Sequence, residues 1–226
     1  IRKAIKEKGN ATVILATGSS QFETLKQLID EPGIAWDKVT MFHLDEYIGL
    51  PVSHKASFRK YLRERFLDKV PPLQSVNLIN GETDPGEELR RLNDLISRGP
   101  VDVALVGIGE NGHLTLNAPP ADFEISQPYI IANLDQACRQ QQVNEQWFGS
   151  VKEVPVQAIS MSVKQIMQSE YIICSVPGAR KARAVKDCLE QPVSNLHPAS
   201  ILQDHANCCL FLDKDSASLL KTAEHA

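Results

Sequence analysis

Apolar residues along the chain follow two different patterns. Continuous apolar runs of about five residues are typical of strands buried on both faces of a sheet, and they occur at 12–16, 39–44, 101–106, 158–162, 171–176 and 208–212. Between these runs, apolar residues recur at the spacing of an amphipathic helix. This spacing predicts helices over 21–28, 57–70, 87–98, 135–147, 163–168 and 180–189, and Ser20 is a candidate N-cap for the first of them.

The alternation of strands with helices predicts an α/β fold: a Rossmann-like, mostly parallel sheet with helices on both faces. No linker, repeat or low-complexity segment interrupts the pattern, so we expect residues 1–226 to form a single domain. Ile1 and Ile5 lie at helical spacing before Gly9, a typical C-terminal cap, so we expect the sequence to begin partway along a helix. In such a sheet the ligand binds beyond the carboxyl ends of the strands.

Charge and composition argue against several classes of partner. The net charge is −4, and lysine and arginine form no cluster interleaved with aromatic residues, which disfavours a nucleic-acid partner. No apolar run approaches the ~18 residues that a membrane span needs. The five cysteines are odd in number and contain no C-x-x-C pair, which disfavours a disulfide framework or a zinc site. We therefore expect a cytoplasmic protein with no metal site.

The glycine-rich segment that follows the run 101–106 is the most informative one. Gly107-Ile-Gly-Glu-Asn-Gly-His113 contains the G-x-G-x-x-G spacing of a dinucleotide-binding turn. That function requires a helix to open at the third glycine, but Pro119 and Pro120 follow closely and disfavour a helix there. His113 is left as a candidate for proton transfer, although a lone histidine is more often structural.

Two other predicted strand ends carry groups that suit an anion. Gly18-Ser19-Ser20 offers backbone N–H groups, hydroxyls and the positive end of a helix dipole, which suits a phosphate monoester; an ordinary glycine turn fits equally well. Lys181 begins a predicted helix after Gly178, and a cation at that end of a helix opposes the dipole. Lys181 therefore needs either an anionic partner or full solvation.

Asp45 and Glu46 follow the run 39–44. Solvated turn residues are the commoner reading of such a pair. Carboxylates at a strand end, beside a phosphate site and a histidine, also suit proton transfer next to a carbonyl or imine carbon. No nucleophile elbow, metal-ligand cluster, P-loop or cofactor lysine competes with this second interpretation.

Taken in order, these segments resemble the glucosamine-6-phosphate deaminase family, whose fold is shared by the 6-phosphogluconolactonases. The resemblance covers essentially the whole chain and rests on Ala16-Thr-Gly-Ser-Ser20, Leu44-Asp-Glu-Tyr-Ile-Gly-Leu50, His54 to Phe58, Tyr61-Leu62, Asn80-Gly81, Gly107 to His113 with Asn117, Gly178-x-x-Lys181 and Leu196-His-Pro198. The lactonases would carry Asp-Glu-Arg where this chain has Asp45-Glu-Tyr47.

The resemblance implies a cofactor-free isomerisation that converts glucosamine 6-phosphate to fructose 6-phosphate and ammonia. By this resemblance His113, with Asn111 beside it, shuttles the proton that opens the pyranose ring, and Asp45 moves the C2 proton to C1. The remaining site residues are phosphate ligands, namely Gly18, Ser19, Ser20 and Lys181, and sugar ligands, namely Glu46, Gly109 and Gly112. The implied partner is a phosphorylated amino sugar, and homo-oligomerisation is left open.

Two departures from the family pattern are expected to weaken deamination. Where the family reads His-Ile-x-Phe-Asn-Glu-Pro, this chain has Ala118 in place of the glutamate that supports the histidine. The family's phosphate-binding arginine corresponds to Gln146, and the basic residues that regulate some members allosterically have no counterpart. Two alternatives therefore stay open: an isomerase or lactonase acting on another sugar phosphate, and a non-catalytic sugar-phosphate sensor.

Overall fold

The computed structural model describes residues 1–221, in which nine strands and seven α-helices alternate. The strands β1–β9 cover Ala11–Leu15, Val39–His43, Asp45–Tyr47, Ser75–Asn77, Val103–Val106, Tyr129–Asn133, Gln157–Met161, Tyr171–Val176 and Cys208–Leu212. The helices α1–α7 cover Arg2–Lys8, Phe22–Asp30, Phe58–Arg65, Pro85–Ile96, Gln136–Asn144, Val163–Met167 and Ala182–Glu190. Short 3-10 turns lead into α2 at Ser19–Gln21 and into α7 at Ala179–Lys181.

Six of these strands form one sheet in the order β4-β2-β1-β5-β8-β9, and every neighbouring pair in it is parallel. The chain winds outward in one direction from β1 to β4 and in the other direction from β5 to β9. The topological switch point therefore lies between β1 and β5, where the connections leave toward opposite edges of the sheet. The predicted parallel α/β fold is confirmed.

A second sheet of three antiparallel strands, in the order β3-β7-β6, extends the carboxyl side of β2. The strand predicted at 158–162 is β7, so it lies outside the parallel sheet. The sequence pattern missed β3, β4 and β6. β4 has three residues at a sheet edge, with Val76 41% exposed, and β6 has an irregular burial pattern. β4 therefore forms no continuous apolar run, whereas β6 contains the short apolar run 129–132, which was not predicted as a strand.

The main sheet is buried on both faces because successive strand residues point to opposite sides. Val13, Leu15 and Met41 pack against Leu25 of α2 and Leu62 of α3 on one face. On the other face, Ile14, Phe42, Ala104 and Ile172 pack with Leu92 of α4 and Val185 of α7. The prediction of helices on both faces is confirmed.

Local sequence explains where several helices begin and end. Gly9 ends α1 with φ +84°, a left-handed conformation that glycine adopts without strain. Ser57 and Asp84 begin α3 and α4, and each side chain accepts a hydrogen bond from the backbone N–H three residues later. No helix in residues 1–221 is long and apolar enough to cross a membrane.

Candidate active site

A cleft of about 400 Å³ opens at the carboxyl ends of the parallel strands, beside the switch point between β1 and β5. The segments that follow β1, β2, β5 and β8 converge on it, together with the end of α5. Seven residues predicted for the site line this cleft: Gly18, Ser19, Ser20, Asp45, Gly109, His113 and Lys181. Three other predicted residues, Glu46, Asn111 and Gly112, do not line it.

The turn after β1 presents backbone and hydroxyl groups to the cleft. Gly18 has φ +93°, and the 3-10 turn Ser19–Gln21 connects it to α2. The Tyr61 hydroxyl donates a hydrogen bond to the Gly18 carbonyl (2.9 Å), which fixes the turn against α3. The prediction that Ser20 caps the helix is wrong: its hydroxyl accepts a hydrogen bond from Gln21 Nε2 (3.1 Å), and no side-chain cap is formed.

Lys181 reaches the same cleft from the turn after β8. Gly178, with φ +98°, turns the chain there, and Lys181 ends the 3-10 turn that leads into α7. Its side chain is only 8% exposed, and burial lowers its pKa. Among the described residues, Glu145 and Glu110 act on it only through space, with no ion pair or hydrogen bond. A nearly buried ammonium beside the Gly18–Ser20 turn suits an anionic ligand.

Asp45 is the first residue of β3 and lines the cleft. Its pairing with Ser160 of β7 holds the backbone, and the residue is 6% exposed. Burial raises the pKa of Asp45 to about 8, with a smaller contribution from Glu46. A carboxyl group with this pKa is a stronger base than an ordinary carboxylate.

His113 is held in place by a chain of two side chains. Asp135 Oδ2 accepts a hydrogen bond from Asn111 Nδ2 (3.1 Å), so the Asn111 oxygen faces the histidine ring. Asn111 Oδ1 lies 2.6 Å from His113 Nδ1, which therefore carries the proton, and Nε2 is left as the basic nitrogen. Burial, with the nearby charge of Lys181, lowers the pKa of His113 to about 3. The ring is therefore a neutral imidazole.

Gly109 is required by the position of the histidine ring. A Cβ atom on residue 109 would lie 2.0 Å from His113 Cε1, far inside van der Waals contact. Gly112 has another role, because it has φ +81° and its N–H donates to the Gly109 carbonyl (3.0 Å). It closes the turn next to Cys188 and His197, outside the cleft. Gly112 thus lies outside the cleft lining, and its contact with the sugar stays a prediction.

Glu46 likewise lies outside the cleft lining, because its carboxylate is hydrogen-bonded inside the protein. The residue is fully buried and accepts hydrogen bonds from Ser57 Oγ (2.9 Å) and from the Arg59 N–H (2.8 Å). It also forms an ion pair with the Arg59 guanidinium at 3.3 Å. Glu46 therefore anchors the start of α3 to β3 and does not reach the cleft.

Four residues around the site were not predicted from the sequence: Asp135, Gln141, Gln142 and Glu145. Gln141, Gln142 and Glu145 line the cleft directly, and Asp135 acts through Asn111.

Gln146, which corresponds to the family's arginine, is exposed with φ +66° and does not line the cleft. Ala118 lines a separate cleft with Asn117 and Asp135. Helical spacing could have indicated Gln141 and Glu145, which lie four residues apart on one face of α5 and its C-terminus.

No group of three or more histidine, cysteine or acidic side chains within residues 1–221 is arranged to hold a metal ion. The arrangement instead combines a buried carboxyl group, a neutral imidazole, and an anion-binding end made of a glycine–serine turn and a lysine. Such a set can move protons on a substrate that is held by an anionic group.

Comparison with known proteins identifies the family. The family model described as glucosamine-6-phosphate isomerases/6-phosphogluconolactonase matches residues 1–116. A glucosamine-6-phosphate deaminase from Geobacillus sp. (strain WCH70) is 37% identical over 222 residues, covering 96% of this chain and 87% of the relative. The corresponding protein of Streptococcus uberis is 35% identical over 213 residues, covering 94% and 88%.

Solved structures agree with this assignment. A monomeric glucosamine-6-phosphate deaminase superposes with a TM-score of 0.86 at 33% identity, covering 96% of this chain and 91% of the other. A 6-phosphogluconolactonase from Thermotoga maritima superposes with a TM-score of 0.76 at 15% identity, covering 93% and 88%, and shows the shared fold alone. The chain therefore belongs to the glucosamine-6-phosphate isomerase/6-phosphogluconolactonase family.

Proposed function

We propose that this protein is a deaminating aldose–ketose isomerase that converts glucosamine 6-phosphate and water to fructose 6-phosphate and ammonia. The observation that carries the proposal is that Asp45 and His113 share one cleft with the Gly18–Ser20 turn and Lys181. The family assignment supports it, as do relatives at 35% and 37% identity that are named glucosamine-6-phosphate deaminase.

The phosphate group would bind at the end of the cleft formed by the turn after β1 and by Lys181. The backbone N–H groups of Ser19 and Ser20 and the Ser20 hydroxyl would act as donors there, as at other helix N-termini that bind phosphate. The Ser19 hydroxyl would join them by leaving its present acceptor, Glu145. The Lys181 ammonium supplies the positive charge, and the bound phosphate would form the ion pair that Lys181 does not otherwise have. This end fixes the sugar so that its C1 and C2 atoms lie deeper, toward Asp45 and His113.

His113 would act first, on the closed sugar ring. A proton leaves the C1 hydroxyl as the bond between C1 and the ring oxygen breaks, and a proton is delivered to that ring oxygen. The Nε2 atom of His113 is unprotonated before the reaction, because burial lowers the pKa of the ring to about 3, so it can accept the first proton. The same low pKa makes it a weak base, which returns this proton readily to the ring oxygen. Asn111 holds the other ring nitrogen during this exchange.

Asp45 would then move a proton between two carbon atoms of the open chain. Its carboxylate takes the proton from C2 to give an enolamine, and the proton is returned to C1 to give an imine at C2. Water adds to C2, and the carbon–nitrogen bond breaks to release ammonia. The elevated pKa of Asp45, about 8, makes it a better acceptor for the C2 proton than an ordinary carboxylate.

The decisive experiment measures ammonia release from glucosamine 6-phosphate beside a panel of other hexose phosphates and 6-phosphogluconolactone. We expect ammonia and fructose 6-phosphate from glucosamine 6-phosphate and no turnover of the lactone. Turnover of another sugar phosphate with no ammonia release would reassign the substrate. Binding of the sugar phosphate with no turnover of any compound would support a sensor instead.

We propose a cytoplasmic location for the enzyme. All five cysteines are free, and Cys138, Cys174 and Cys188 are buried, which suits a reducing compartment. Fractionation of the source cells tests this proposal. Homo-oligomerisation stays open, and sedimentation of the purified protein tests it directly.

A further inference from the structure

The anion-binding end of the cleft contains a carboxylate. Glu145, just after α5, lines the cleft beside Ser19 and Lys181. Ser19 Oγ donates a hydrogen bond to Glu145 Oε2 (2.8 Å), and Gln141 Nε2 donates to Oε1 (2.7 Å). Trp147 Nε1 adds a longer hydrogen bond to Oε2 (3.3 Å). Three donors, from the turn after β1, from α5 and from the segment after α5, therefore hold this carboxylate in one place.

This carboxylate occupies the part of the cleft where phosphate is proposed to bind. In the structure the Ser19 hydroxyl, proposed as a phosphate donor, donates to Glu145 instead. The Glu145 charge also acts on Lys181 and favours its protonated form, so it already offsets part of the positive charge that would attract the phosphate. A phosphate dianion entering this end therefore meets a fixed negative charge at close range, which disfavours its binding.

The protonated form of the phosphate group is repelled less by the Glu145 carboxylate. A phosphate monoester carries either one or two negative charges near neutral pH, since its second pKa is about 6. The monoanion has lower charge and one P–O–H group, which can donate a hydrogen bond to a carboxylate. The dianion has only acceptors, and it cannot replace the hydrogen bond that Glu145 loses when Ser19 turns to the ligand.

We propose that Glu145 is a specificity-determining residue that makes the cleft bind the monoanion of a phosphate monoester in preference to the dianion. This proposal deepens the proposed function and rests on it for the identity of the sugar. The other titratable or charged groups that face this space are Asp45 after β2, His113 after β5, Arg180 and Lys181 after β8, and Asp213 after β9. Tyr61 of α3 approaches the turn through the Gly18 carbonyl, and Glu110 pairs with Arg180 (3.4 Å).

Because several of these groups can titrate, the test compares matched variants at two pH values. Glucosamine 6-phosphate is titrated calorimetrically into Asp45→Asn and into Asp45→Asn with Glu145→Gln. Asp45→Asn is chosen to suppress turnover and to remove that carboxyl from the titration. At pH 8, where the dianion dominates, we expect Glu145→Gln to bind roughly tenfold more tightly. At pH 6, where the monoanion is abundant, the difference should shrink to less than about threefold.

The control variant is Glu64→Gln, which makes the same change in net charge on α3, where Glu64 is exposed and paired only at 3.9 Å with Lys60. It should leave the affinity unchanged at both pH values. Thermal melts verify that Glu145→Gln is folded, and Glu145→Ala should shift the affinity in the same direction. The inference would be overturned if Asp45→Asn and Asp45→Asn with Glu145→Gln bound the sugar phosphate with equal affinity at pH 8, or if neither bound it.

Ammonia release by the wild-type enzyme judges the proposed function separately. Suppose that the wild type releases no ammonia, but Glu145→Gln still increases the affinity for the sugar phosphate more at pH 8 than at pH 6. The inference then stands and the proposed reaction is wrong. If ammonia is released and the Glu145 variants bind alike, the proposed reaction stands and Glu145 has no part in selecting the phosphate charge.

Discussion

At the residue scale, the cleft brings together two groups whose pKa values are displaced in opposite directions. Burial raises the pKa of Asp45 to about 8 and lowers the pKa of His113 to about 3, because each group is more stable in its neutral form when water is removed. Asp45 must lose its proton to act as a base, whereas His113 already has a free basic nitrogen. The protonation state of Asp45 should therefore limit the rate at neutral pH.

The first prediction follows for the pH dependence of the reaction. In the free enzyme kcat/KM should rise with pH and level off above about 8, because the active form of Asp45 is the carboxylate. The weaker binding of the phosphate dianion expected from Glu145 should reduce this rise without cancelling it. Asp45→Asn should lower kcat by about a hundredfold or more on the high-pH plateau, and its profile should lack this limb. Asp94→Asn, an exposed control on α4, should keep the wild-type profile. A wild-type profile that is flat between pH 6 and pH 9 would contradict the assignment.

The second prediction concerns Asp135, which touches His113 only through Asn111. Asp135→Asn keeps an N-cap for α5 but removes the acceptor that orients Asn111. We expect kcat to fall by about 10- to 100-fold with KM little changed, as for other supporting partners of a histidine. Asp84→Asn makes the same change at the start of α4, away from the cleft, and should leave kcat unchanged. A matching loss in both variants would indicate a general effect on helix stability.

The carboxylate missing at Ala118 gives a related prediction. Asp135 already connects a carboxylate to His113 through Asn111, and Ala118 lies beside Asp135 in a neighbouring cleft. Ala118→Glu should raise the rate of ammonia release at saturating substrate by about tenfold if a direct carboxylate is worth more than this relay. Brisk and equal rates in the two proteins would show that the relay through Asn111 is sufficient.

At the element scale, the loop between β5 and the second sheet depends on one close approach. The His113 ring packs directly against Gly109, where even a methyl group would overlap it. Gly109→Ala should therefore displace the ring and lower kcat by more than about tenfold while the protein still folds. Gly99→Ala, at a loop position with no atom within 4 Å of the added methyl group, is the matched control. Wild-type turnover in Gly109→Ala would mean that the ring position is not critical.

The elements also show which parts of the structure the sequence could predict. The apolar runs indicated the strands of the main sheet, except its edge strand β4, and parallel strands bring their carboxyl ends to one edge, so Ser19, Asp45, His113 and Lys181 could be grouped in advance. Glu46 could not be distinguished from Asp45 by its position, because only the folded chain shows that Arg59 and Ser57 surround its carboxylate. The contacts of Asp135 and Glu145 span 24 and 126 residues of sequence and leave no periodic pattern.

At the scale of the whole molecule, the site reduces the stability of the fold as the pH rises. The pKa of Asp45 is raised from 3.8 to about 8 in the folded protein, so the folded state binds a proton that the unfolded state releases between these values. The stability associated with a neutral Asp45 is therefore fully present below about pH 4, and it is lost progressively as the pH rises toward 8. Above pH 8 the folded protein must hold a buried carboxylate charge.

The last prediction is that Asp45→Asn stabilises the protein most at high pH. The amide has the shape of the carboxyl group and never carries the charge, so the difference in Tm between variant and wild type should grow from pH 5 to pH 9 and reach several degrees. The pKa values of His43 and His113 are shifted in the opposite direction, from 6.5 to about 3. These two residues therefore reduce stability only as the pH falls below about 6.5, and they do so equally in the variant and the wild type. Asp94→Asn should show no such growth. A constant difference in Tm across this range would mean that Asp45 is ionised in the folded enzyme at every pH tested, and that the proton acceptor is already charged before the substrate binds.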